Sequence, residues 1–227
     1  MAIGFNLCNK IGGGAGAEVY LDNVEITPSE VRLLTIPSIT IDLTRIMSSL
    51  PYDFKGGKVV ICNNELHILG SADSGNETKH YKFNFTTATW TEVSTLPYNF
   101  ARGNAVVYNN EIHILGGSAG TVYEHFKFNN TSWTSVSTLP YIFYDGCSVV
   151  YNNEIHILGG SSLGTETNHY KFNLTSWTSV NSLPYDFKSG SAIVYNNEIN
   201  ILGGLNNATK HYSLNLNIDK VVESITL

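Results

Sequence analysis

Four stretches of this chain repeat one another almost word for word. They read LPYDF with CNNELHILGS, LPYNF with YNNEIHILGG, LPYIF with YNNEIHILGG, and LPYDF with YNNEINILGG. The opening prolines Pro51, Pro97, Pro140 and Pro184 stand 46, 43 and 44 residues apart. A unit of that size cannot bury its own apolar face, so copies must stack, and the fold is set by one supersecondary unit used repeatedly. The repeat occupies roughly the last 180 of the 227 residues and leaves about 40 in front of it. The economical division is an N-terminal arm, residues 1–39, and one repeat domain, residues 40–227.

Within a copy, the β-branched run Ala105-Val106-Val107-Tyr108 meets Asn109-Asn110 and then Glu111-Ile112-His113-Ile114-Leu115. Asparagine tolerates positive φ, so two of them between apolar runs predict a tight primed hairpin joining strands a and b. Beyond Gly116-Gly117 lies a variable stretch, then strand c at His125-Phe126-Lys127-Phe128, a polar turn, and strand d at Trp133-Thr134-Ser135-Val136. Leu139-Pro140 ends strand d, because proline lacks the N–H for a ladder and restricts the residue before it. Apolar residues of both parities in strand b, such as Leu66, Ile68 and Leu69, predict a sheet covered on both faces by its neighbours.

Four short antiparallel strands in about 45 residues, with no helical period, match a propeller blade. The Gly pairs Gly116-Gly117, Gly159-Gly160 and Gly203-Gly204, the aromatic in strand c, and Trp90, Trp133 and Trp177 resemble a kelch repeat over residues 50 to 215. Gly70-Ser71 departs from that pattern, and the fourth copy has no tryptophan. The resemblance implies an all-β, kelch-type β-propeller of four blades, each of four antiparallel strands, behind a short β-rich N-terminal arm. The tryptophans are expected to pack between blades.

Two segments compete for the outermost strand of blade four. Asp219 to Leu227 aligns with strand d of the third copy, yet residues 40–51 also read as a strand d ending in Leu50-Pro51. Pairing an N-terminal strand into the last blade would remove exposed edges. A monomeric ring clasped in this way is the first expectation, and an assembly that shares strands between copies is the alternative. By position, residues 1–39 are expected to dock the chain onto other proteins of an assembly.

The formal charge of -6, from 13 basic and 19 acidic residues, gives no footprint for nucleic acid. Neither a secretion signal nor a membrane-spanning run is readable, so synthesis in a cytoplasm without membrane insertion is expected. Cys8, Cys62 and Cys147 are odd in number and do not repeat with the repeat, which predicts free thiols. Asn76-Glu-Thr, Asn173-Leu-Thr and Asn207-Ala-Thr read as chance sequons rather than glycosylated sites.

The histidines are the obvious lure. His67, His113 and His156 recur in strand b, and His80, His125, His169 and His211 in strand c, whereas Asn200 replaces the strand-b histidine in the fourth copy. Positions repeated once per blade are kept apart by the symmetry, so the expectation is structural histidines and no metal. Glu65, Glu111, Glu154 and Glu198 and the scattered lysines read as solvated edge charges. No phosphate loop, nucleophile elbow or matched carboxylate pair is present, which predicts a protein that is not an enzyme and uses no cofactor.

Differences among the copies point elsewhere. In an up-and-down blade the d–a and b–c loops emerge on one face and the a–b turn on the other. The a–b turn reads Asn-Asn-Glu four times, while the other loops diverge. Loops on a rigid scaffold commonly carry binding sites. The candidate binding residues are Lys55, Lys58, Arg102, Asn104, Tyr123, Tyr144, Asp145 and Lys188, facing a protein or glycan; drift in unconstrained loops is the plainer account.

The wording YNNEIHILGG and TSWTSVSTLPY is similar to kelch-like proteins of phages and low-GC gut bacteria. That resemblance implies a virion component on a tail or capsid surface, part of a homo-oligomer or larger assembly, that decorates the particle or touches a host protein or glycan. A bacterial protein–protein interaction propeller, intracellular or at the cell surface, with the bacterial cytoplasm as the alternative location, is the second reading, and a carbohydrate-active enzyme the third.

Overall fold

The computed structural model describes residues 48–117, 123–160 and 166–216. The chain divides into two compact units, Met1–Arg45 and Ile46–Leu227, and all the described residues belong to the second. The docking arm at 1–39 and, of the rival claims on the last strand, residues 40–47 of the 40–51 segment and all of 219–227 lie outside the described residues, and residues 48–51 form no strand.

The second unit is an all-β, four-bladed propeller. Blade one comprises β1 (Lys58–Cys62), β2 (Glu65–Leu69), β3 (His80–Asn84) and β4 (Thr89–Glu92). Blade two comprises β5 (Asn104–Tyr108), β6 (Glu111–Leu115), β7 (His125–Phe128) and β8 (Trp133–Ser135). Blade three comprises β9 (Cys147–Tyr151), β10 (Glu154–Leu158), β11 (His169–Phe172) and β12 (Trp177–Ser179). Blade four comprises β13 (Ser191–Tyr195), β14 (Glu198–Leu202) and β15 (His211–Leu214). Every sheet is an antiparallel meander in chain order, as the repeat predicts.

The Asn-Asn pairs make the turns expected of them. Asn109 and Asn110 have φ of 50° and 60°, their counterparts in the other blades are also positive, and Tyr108 pairs directly with Glu111. Two successive residues at positive φ give the primed turn whose twist matches the strands it joins. The first glycine after strand b has a different reason. Gly70, Gly116 and Gly159 have φ near +60°, and a methyl group on any of them would collide with the carbonyl of Phe100, Phe143 or Phe187 in the next blade. These glycines are where consecutive blades touch backbone to backbone. The tyrosine of each LPY motif locks the same corner: Tyr52, Tyr98, Tyr141 and Tyr185 donate to the carbonyls of Gly70, Gly116, Gly159 and Gly203 at 2.6–3.0 Å.

Burial follows strand parity. In β5, Ala105 and Val107 pack back against blade one, beside Leu69 and Phe100, whereas Val106 and Tyr108 pack forward against Ile155 and Ile157 of blade three. The core is therefore three junction clusters in series, one between each pair of consecutive blades. Burying each such Ile, Leu or Phe contributes about 1.5–3 kcal/mol. Two of the three tryptophans belong to these junctions: Trp133 lies edge-on to His80 and Trp177 to His125, each from the following blade, whereas Trp90 packs on Phe83 of its own blade and joins no junction cluster. Innermost, β1 packs beside β5, β5 beside β9, and β9 beside β13; among the described residues no comparable contact joins β13 to β1.

Candidate binding face

The d–a and b–c loops share one end of the blades and are sewn together by backbone hydrogen bonds. Ala72 N–H donates to Lys55, Gly117 to Phe143, Gly160 to Phe187 and Leu205 to Lys188. The variable segments thus form one surface, opposite the Asn-Asn turns.

Its inner rim is a relay. Arg102 N–H donates to the Gly56 carbonyl at 3.0 Å, Asp145 to Arg102 at 3.0 Å, and Ser189 to Asp145 at 2.7 Å. All four residues hold φ between +54° and +64°. Outside glycine this region costs about 1–2 kcal/mol per residue, which the cross-blade hydrogen bonds and the packing of Phe100, Phe143 and Phe187 below them offset. The sequence shows these positions as unlike; the backbone treats them alike.

The relay brings four of the candidate residues together. The Arg102 guanidinium forms a two-pronged ion pair with Asp145, with Nε to Oδ1 at 3.0 Å. Its Cζ sits 5.3 Å from the centroid of the Tyr144 ring, and Lys188 Nζ approaches that ring to 5.9 Å. Three successive blades therefore contribute to one cluster, in which the electron-rich face of Tyr144 attracts two cations. The Asp145 carboxylate is the main reason the Arg102 guanidinium holds its proton more tightly than usual.

The other four candidates are dispersed. Lys55 pairs with Asp73 of its own blade at 3.1 Å and stays largely exposed. Tyr123 is exposed, and its carbonyl accepts from Leu139 N–H. Asn104 spends its amide across a junction, donating to the Gly146 carbonyl at 2.7 Å, so it is a structural link rather than a free ligand group. Cys147, at the equivalent position one blade on, faces the Gly190 carbonyl at 3.1 Å. Burial pushes its thiol up to about 11, against the opposing charge of Lys58, which places Lys58 near it on the same rim. Cys62 and Cys147 are both free thiols.

Two expectations need correcting. Glu65, Glu111 and Glu154 are not simply solvated: each receives the strand-c lysine of its own blade, Lys82, Lys127 or Lys171, at 2.9–3.1 Å. The histidines of strands b and c are not kept apart either. His67 Nδ1 meets His80 Nε2 at 2.9 Å, and His113–His125 and His156–His169 repeat the contact at 2.8 Å. One imidazole donates to the other, so each pair works as a neutral dyad. Burial, and then the partner imidazole, hold His80, His125 and His169 down to about 3. Burial likewise lowers His113 and His156 to about 4 and depresses His67. No third His, Cys, Asp or Glu completes a metal-binding group among the described residues.

The register behind these dyads is not readable along the chain, because the b–c loops differ in length. Once Leu69 opposes His80, the alternation of side chains puts His67 and His80 diagonally on one face.

No protein-family model matches the sequence, and no curated protein matches it. Among solved structures the chain is similar to YjhT, a kelch-repeat propeller protein, with a TM-score of 0.65 and 16% identity. The match covers 79% of this chain and 71% of that one. At that identity the likeness concerns the fold alone.

Proposed function

We propose that this chain is a non-catalytic binding module of a phage particle, and that its loop face takes a glycan or protein of the host surface. The observation that carries this reading is the cluster of Arg102, Tyr144, Asp145 and Lys188, built by three blades on the one face where the copies differ. An aromatic ring flanked by fixed donors and acceptors suits the apolar face and hydroxyl rim of a sugar, or a polar peptide loop. The virion setting rests on the style of the repeat.

Two measurements test it. Purified protein screened against glycans and intact host cells should bind, and Tyr144→Ala should weaken that binding at least tenfold while Tyr144→Phe retains most of it. Unchanged binding by Tyr144→Ala, Arg102→Ala and Lys188→Ala would remove the face from function and leave loop drift as the account. Mass spectrometry of purified phage particles tests the setting: absence of the chain from them ends the virion reading.

A further inference from the structure

Each interior junction joins a forward face to a backward face, and the two ends of the described blades carry one unused half each. At the forward face of blade four, Tyr195 is 67% exposed and Ile193 58%, whereas Tyr108 and Tyr151 at the matching position are 3% exposed. At the backward face of blade one, Val59 and Ile61 are 50% and 62% exposed, although their counterparts Ala105 and Val107 pack into a junction core.

The polar fittings are left over in matching fashion. Tyr108 donates to the Asn153 carbonyl at 2.7 Å, Tyr151 to Asn197 at 3.0 Å, and the Cys62 thiol faces Asn110 at 3.6 Å. Among the described residues Tyr195 has no such acceptor, and Asn64, the turn residue equivalent to Asn110, Asn153 and Asn197, receives no such donor. Among the described residues the rim relay stops with the Ser189 carbonyl at one end and the Gly56 N–H at the other. Gly203 has the positive φ of its sisters, but the nearest atom to a methyl group there is the Ala208 carbonyl at 3.5 Å, where the sisters meet the next blade.

We propose that a second copy of this chain docks head to tail, the forward face of blade four against the backward face of blade one. This goes beyond the binding role of the loop face. The occupant follows from continuity: the two surfaces are the halves of an interface the chain already forms three times, with apolar positions, donors and acceptors in the same order. In the complex Tyr195 donates to the Asn64 carbonyl of the other copy, Gly56 N–H to Ser189, and Ile193 packs beside Val59 and Ile61. Unlike faces joined in this way make a heterologous contact, which closes into a ring when the rotation allows. Two copies supply eight blades, within the range of known propellers, so the closed form is a dimer.

The test uses the full chain in sedimentation velocity across a concentration series. The wild type is expected to be a dimer, and Tyr195→Asp and Ile61→Asp, each altering an exposed position on a different face, are expected to be monomers with Kd raised at least 100-fold. Circular dichroism verifies that both remain folded. Mixing the two monomeric variants should restore a 1:1 dimer, because each retains the face the other has lost. A monomeric wild type, as when another part of the chain covers these faces, would overturn the proposal. So would a dimer that survives Ile61→Asp, which indicates like-with-like pairing, or a mixture that stays monomeric. A particle larger than a dimer that both variants dissolve would keep the docking and overturn the two-copy closure.

Discussion

Blades three and four are written in nearly the same words, yet they carry opposite surfaces. Tyr151 and Tyr195 both close a strand a, both precede Asn-Asn-Glu, and the strands they end pair in the same register. Tyr151 is buried against blade four and bonded to Asn197, while Tyr195 is exposed. The residue does not set its own burial; the presence of a following blade does. Two of the fourth copy's departures in wording fall on that same forward face. Asn200 stands for the strand-b histidine and meets His211 at 3.0 Å, and Ser213 stands for the lysine and bonds Glu198.

The contrast is easiest to break at the glycines. Gly116→Ala is expected to destabilise by about 4 kcal/mol, because a methyl group there meets both the left-handed φ and the Phe143 carbonyl. Gly203→Ala, with a similar φ but only an ordinary van der Waals contact at 3.5 Å, should cost only about 1–2 kcal/mol. Urea unfolding of both variants, at dilutions where copies do not associate, measures the backbone contact by difference; equal losses would mean the cross-blade approach contributes nothing. Next in size, Tyr151→Ala should cost about 3–4 kcal/mol under those conditions and Tyr195→Ala less than about 0.5 kcal/mol.

Acid sharpens the comparison from another side. The dyad histidines have native pKa values below the ordinary 6.5, down to about 3 or 4. The unfolded chain then binds more protons. Their stabilisation is complete above pH 6.5 and is lost as pH falls from there toward 4 and 3. At pH 5 each histidine held at about 3 or 4 contributes a loss of at most about 2 kcal/mol, so stability falls steeply with acid over this range. His156→Asn, which gives blade three the pairing of blade four, should flatten the fall between pH 7 and pH 5 by about 1–2 kcal/mol, read from thermal melts at each pH. An unchanged slope would mean the dyads are not the acid-sensitive groups.

The smallest expected effect lies on the loop face. Arg102→Ala removes an ion pair whose arginine is half exposed, so stability should change by no more than about 1 kcal/mol. The same variant is expected to weaken binding at least tenfold, and a large stability loss with intact binding would turn the cluster into a structural clamp.

Much of this architecture was legible in the chain. The Asn-Asn turns, the strand bounds and the meander order follow from turn chemistry and short apolar runs, which act over a few residues. The division into a repeated and a varied face was legible too, because it needs only strand order. The His–His dyads and the Lys–Glu pairs were not, since both depend on a register set across loops of unequal length. Asn104 looked like a free binding group because nothing in its neighbourhood along the chain hints at the Gly146 carbonyl of the next blade.

By itself the sequence determined the unit: four strands, their turns, and two apolar faces that neighbours must cover. Only the tertiary structure decided what each repeated position means. Cross-blade hydrogen bonds, cation–aromatic contacts and burial all connect residues about 45 apart, and they exist only where a next blade is present. That is why Arg102, Tyr144 and Lys188 became one cluster, and why the same tyrosine is core in blades two and three but surface in blade four.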